Sequence, residues 1–145
     1  MINTIVLISW MSATAPVETI YNIKPKDILQ TPQEQNINTA QSFIDNNRKA
    51  VAEYKSEVTK GKVYYLTHSK DYDGLQLLID GDFIRVGKKD FKITGKTIKK
   101  NNEEAVKFVM QDKSKYMLQT CWSPLDRNSD LVLYDLELIN NLGGK

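Results

Sequence analysis

The chain is poor in the residues that most readily betray a protein's chemistry. It holds one cysteine and one histidine among 145 residues. A single cysteine excludes an internal disulfide framework, and a single histidine excludes a His/Cys metal cluster of the usual kind. Neither count fixes the redox compartment. An excess of either charge is missing too: 20 basic against 18 acidic residues leave +2, so the total implies no nucleic-acid or membrane partner. No apolar run is long enough to span a bilayer. Ile2–Trp10 lacks a preceding basic stretch and is short, so it reads as a buried strand rather than a signal peptide. Repeats, low-complexity tracts and linkers are absent as well.

What remains is the composition of an ordinary globular protein, 41% hydrophobic and 26% charged. Residues 1–145 are expected to form one domain with a single sizeable core. Ala13–Val17 reads as extended, because Pro16 fixes its own geometry and holds Ala15 away from helix. Ile20–Pro32, punctuated by Pro25 and Pro32, reads as loop. Asn38–Val58 predicts one long helix: Ala40, Phe43, Ile44, Val51, Tyr54 and Val58 fall mostly on one stripe, with Asp45, Arg48, Glu53 and Lys55 towards water. Its charges read as a solvated face.

Beyond it the pattern turns to strand. Lys62–Thr67 ends on His68, Phe83–Val86 and Phe91–Ile98 are joined by a hairpin turn at Gly87–Asp90, and Leu75–Ile79 is ambiguous. Glu103–Met110 reads as a short helix. Tyr116–Cys121 and Leu131–Ile139 are strands separated by a polar loop that begins near Pro124 and includes Arg127. Short strands around one long helix predict a mainly β fold, a closed or nearly closed barrel.

The only cysteine and the only histidine each end a predicted strand. Were those strands neighbours at one rim, thiol and imidazole would meet. A free thiol with a pKa of about 8.5 needs help near neutrality. An imidazole supplies general acid or base, and an arginine can hold the oxyanion of a tetrahedral acyl intermediate. The competing reading is plain: a lone cysteine more often packs a core, and a lone histidine is more often structural. Asp71 with Asp73, and Asp126 with Asn128 and Asp130, alternate oxygens as calcium loops do. The rest of such a loop is missing, so both read as polar turns and no metal or cofactor is expected.

Leu118-Gln119-Thr120-Cys121, followed by an arginine-containing loop and an apolar strand, resembles the L-x-T-C motif of sortases, the cysteine transpeptidases of bacterial surfaces. Val63–Ser69 is similar to the strand that ends on the sortase histidine. Gly81–Val86 is similar to the family's G-D-x-I-x-V strand, and Ala15-Pro16-Val17 to its early A-P-V/I piece. The matches fall in the family's order along nearly the whole chain. The resemblance implies a closed sortase-like β-barrel of about eight strands, with Cys121 as nucleophile forming a thioacyl enzyme. His68 would act as acid and base, and Thr120, with Gln119 and Trp122, would line the substrate site. It further implies a sorting-signal peptide as acyl donor and an amine from a cell-wall precursor or a pilin lysine as acceptor. Location at the cell surface follows, normally through a membrane anchor, which no stretch of these 145 residues is expected to supply. The family's arginine usually opens the last strand. Asp130 holds that place here, and Arg127, three residues earlier, is the candidate for the role. A catalytically impaired barrel that binds a peptide or surface protein is the alternative.

Overall fold

The computed structural model describes residues 23–126 and 128–143. These form eight strands and two helices: β1 Asp27–Leu29, β2 Gln33–Asn36, α1 Ala40–Asn46, β3 Ala52–Lys55, β4 Val63–Leu66, β5 Phe83–Val86, β6 Lys89–Lys99, α2 Glu103–Gln111, β7 Tyr116–Cys121 and β8 Leu131–Asn141. The fold is mainly β. All eight strands belong to one sheet in the order β1-β5-β6-β8-β7-β4-β3-β2. The strands expected at Ile2–Trp10 and Ala13–Val17, and Arg127, lie outside the described residues.

The expected closed barrel is corrected: among the described residues β1 and β2 are the two edges of the sheet, and no ladder joins them. The sheet nevertheless curls strongly, for a reason of chain length. Eight flat strands would place the edges about 34 Å apart. Leu29 and Gln33 are separated by four peptide steps, which reach at most about 15 Å. Residues 30–32 therefore cross the gap, and only a curled sheet lets them. The Gly87 amide donates to the Leu29 carbonyl at 3.0 Å, and the Gln30 amide to Tyr72 Oη at 3.4 Å. Gly87 has φ +61°, and a Cβ there would sit 3.2 Å from Pro32 and Thr31, so both the hairpin turn and the crossing favour glycine.

Strand alternation divides the side chains between two faces. Tyr65, Phe91, Leu118, Val132 and Tyr134 fill the inside of the curl with Leu29, Val51, Ile84 and Ile93. Each such fully buried apolar side chain is worth about 1.5–3 kcal/mol relative to exposure. Tyr64, Met117, Leu131 and Leu133 point to the outside, where Ala105 and Val109 of α2 cover them. Asn102 caps α2 by accepting from the Glu104 amide at 2.8 Å. Lys62 Nζ donates to the carbonyls of Val109 and Asp112 at 3.1 and 2.8 Å, tying the C-terminal end of α2 to the start of β4.

The long helix expected over Asn38–Val58 is also corrected. Only Ala40–Asn46 is helical, and Ala52–Lys55 is a strand parallel to β2. The stop is local. Asn47 is extended, its side chain donating to the Phe43 carbonyl at 2.9 Å, and Lys49 adopts φ +63°. After that break the apolar residues fit a strand as well as a helix: Val51 enters the interior while Ala52 packs outside against α1. Ile20–Pro32, expected as loop, contains β1, and Leu75–Ile79 begins with a 3₁₀ turn at Leu75–Leu77.

Candidate functional site

The site begins with a register. β4 and β7 run parallel, with Tyr64 opposite Met117 and Leu66 opposite Gln119. The Thr67 amide donates to the Gln119 carbonyl at 3.2 Å, and Thr120 Oγ1 donates to the Thr67 carbonyl at 2.9 Å, which carries the pairing past the end of β4. His68 is still extended (φ −86°, ψ 132°). Two residues beyond Leu66 and Gln119, the same register sets His68 beside Cys121. Period-two alternation then gives both the outer face, in phase with Tyr64 and Leu66 on one strand and Met117 and Gln119 on the other. Parallel strands end at the same edge, so both functional groups reach one rim.

Both residues line one cavity of about 300 Å³ with Asp45, Lys70, Pro124 and Leu125. They also share a smaller cavity of about 80 Å³ with Gln41, Ile44, Gln119 and Thr120. Gln41, Leu66, Gln119 and Leu131 continue from it into a third cavity of about 220 Å³ between α1 and α2, walled by Tyr54, Val58, Val106 and Val109. The outer face thus carries a groove, apolar at its far end, that leads to the cysteine. Cys121 is only 8% exposed and His68 4%, so access runs through these cavities.

The imidazole has a partner that sequence reasoning had turned towards water. His68 Nε2 lies 2.5 Å from Asp45 Oδ1. The same oxygen accepts from Gln41 Nε2 at 2.9 Å, an i,i+4 pair along α1. Helix α1 sits there because Ala40 and Ile44 pack with Ala50 and Ala52, and with Phe43, Tyr54 and Leu66. Asp45 follows Ile44 and so borders the docked stripe. The spacing of Gln41 and Asp45 could have signalled their mutual bond. Nothing in the sequence tells which strand end that helix meets.

Electrostatics at the sulfur work against ionisation. Burial pushes the Cys121 thiol up from its ordinary pKa, the carboxylates of Asp126 and Asp45 push it further, and Lys70 partly opposes them. The carboxylates that act on the sulfur are thus Asp126 and Asp45. Asp130 is exposed, and its backbone carbonyl accepts from the Trp122 amide at 2.8 Å.

The remaining predicted site residues divide. Gln119 lies in the groove, its Oε1 accepting from Tyr64 Oη at 2.5 Å. Thr120 borders the smaller cavity, but its hydroxyl is spent on Thr67. Trp122 is 43% exposed, stands under Lys96 Nζ at 5.8 Å, and lines neither cavity that contains Cys121. Asp71 ends a 3₁₀ turn at Ser69–Asp71 and its Oδ2 accepts from the distant Lys49 amide, while Asp126 Oδ1 accepts from the Asn128 amide within a turn of the loop. Among the described residues no three His, Cys, Asp or Glu side chains gather as a metal cage. No helix among them is long and apolar enough to cross a membrane.

A scan against protein-family models finds no match to this sequence, and neither does a search of the curated proteins.

Proposed function

We propose that this protein is a thiol acyltransferase of the sortase type, with Cys121 as nucleophile and His68 as acid and base. The single observation that carries the reading is the shared cavity of the only cysteine and the only histidine, set side by side by the β4–β7 register. Cysteine chemistry needs a base within reach, and the imidazole shares the sulfur's cavity. In this reading the sulfur attacks a peptide carbonyl, the leaving amine takes a proton from the imidazole, and an incoming amine or water resolves the thioester. The groove between α1 and α2 receives the acyl-donor peptide. By the resemblance described above, that donor is a sorting-signal peptide at the cell surface, and the acceptor is an amine of a cell-wall precursor or a pilin lysine. Arg127 is the proposed oxyanion partner.

Incubation with a library of sorting-type peptides and an amine, followed by intact mass measurement, tests the reading. A thioacyl adduct is expected on the wild type and not on Cys121→Ala. One observation favours a second reading, a curled sheet that binds peptide without turning it over: burial and two carboxylates raise the pKa of the thiol. Peptide binding without any adduct would select it.

A further inference from the structure

The reaction proposed above asks more of His68 than proximity. An imidazole presents two nitrogens, and only one can face the sulfur in a given orientation. Among the described residues the ring's hydrogen bond runs from Nε2 to Asp45 Oδ1. A carboxylate only accepts, so Nε2 carries the hydrogen, and in the neutral ring Nδ1 keeps its lone pair. Asp45 is itself held, because Gln41 one turn earlier donates to the same oxygen. The ring is 4% exposed, and it shares both rim cavities with the thiol.

Resting on the acyl-transfer reading, we infer that Asp45 is the positioning residue of the site, fixing the His68 ring so that Nδ1 is the working base. The sequence is then balanced. Cys121 Sγ–H gives its proton to Nδ1 as the S–C bond forms. The resulting imidazolium is stabilised by Asp45, which stays ionised. Nδ1–H then protonates the leaving amine as the C–N bond breaks, and the thioester remains. In the second half an amine or water gives a proton to Nδ1 as it attacks, and that proton returns to sulfur as the C–S bond breaks. Because the thiol does not ionise readily by itself, a fixed base matters more here than in a site holding a preformed thiolate. The triad is drawn from three places in the chain: α1, the end of β4 and the end of β7.

The test is a double-mutant cycle on Cys121 acylation by p-nitrophenyl acetate, followed by the release of p-nitrophenol and by intact mass. In the wild-type background Asp45→Asn is expected to slow acylation by about 10- to 1,000-fold. In the His68→Ala background the same change should bring no loss, because Asp45 assists through the ring while its direct charge only disfavours the thiolate. Equal losses in both backgrounds would indicate a structural role and overturn the inference, as would an unchanged rate in Asp45→Asn. A wild type that acquires no Cys121 acetyl group, judged against Cys121→Ala, overturns the acyl-transfer reading and the positioning role with it. Since the chain has one histidine, its imidazole ¹⁵N spectrum reports on this ring alone. In the neutral ring a hydrogen-bonded Nε2–H with unprotonated Nδ1 is expected. The opposite tautomer in the wild type would overturn the inference even if the variants failed to fold.

Discussion

Cys121 combines a reactive element with surroundings that suppress its ionisation. Burial is the largest influence, then the charges of Asp126 and Asp45, with Lys70 in opposition. A thiol acid whose charged form is disfavoured ionises at higher pH when folded than when unfolded. Alkylation of Cys121 by iodoacetamide should therefore reach its half-maximal rate at a higher pH in the native protein than in urea. Lys70→Gln should move that midpoint further up, and Asp126→Asn should move it down. Mass-resolved labelling across the pH range checks all three. A native midpoint at or below that of the unfolded chain would contradict the account. The site residues themselves were partly legible. Cys121 and His68 stand out because each is the only one of its kind. Asp45 does not, since an acidic residue on a helix carries no mark of what it faces until the helix docks.

At the scale of the element, α1 matters more than its seven residues suggest. A helix that short has little stability of its own. It is held by Ala40 and Ile44 against the outer face of β3 and β4, and that packing delivers Asp45 to His68. Ile44 is 3% exposed. Ile44→Ala should cost about 2–4 kcal/mol, measured by urea unfolding. It should also lower acylation of Cys121 in the fraction that remains folded, although Ile44 carries no reactive group. Loss of stability with an unchanged rate would mean that α1 does not hold the site. The end of α1 shows why local pattern misled. Val51, Tyr54 and Val58 extend a helical stripe on paper, but Asn47 and left-handed Lys49 break the chain between them. Once broken, the same residues suit a strand, because parallel pairing with β2 supplies the backbone partners.

For the whole molecule, stability should depend on pH in a way set by buried carboxyls. Asp135 is raised from 3.8 to about 6, first by burial and then by its hydrogen bond and repulsion with Asp112. Asp27 is raised to about 6 by burial and by the charge of Asp73. A carboxyl that binds its proton more tightly in the folded state stabilises below the unfolded pKa, and loses that contribution as pH rises through the folded one. Asp82 and Asp90 are lowered, chiefly by hydrogen bonds from Lys26 and Arg85, and act oppositely, their contribution failing as pH falls below about 4. The melting temperature should therefore fall between about pH 4 and pH 7. In Asp135→Asn, where the site no longer ionises, that fall should be smaller. Thermal unfolding at fixed ionic strength decides it; equal slopes in both proteins would refute the assignment.

The sequence by itself determined the strand content of the second half, the boundaries of β5 and β7, and the two solitary reactive residues. These follow from short-range physics: alternation, turn residues and capping act over a few positions. Tertiary structure alone decided the rest. Whether β1 and β2 become edges, whether residues 50–55 extend as strand, and which side chain orients the imidazole all depend on pairing between distant segments. The meeting of His68 and Cys121 belongs there too, for 53 positions of sequence offset in the β4–β7 register bring them together, and no local rule encodes a register between strands so far apart.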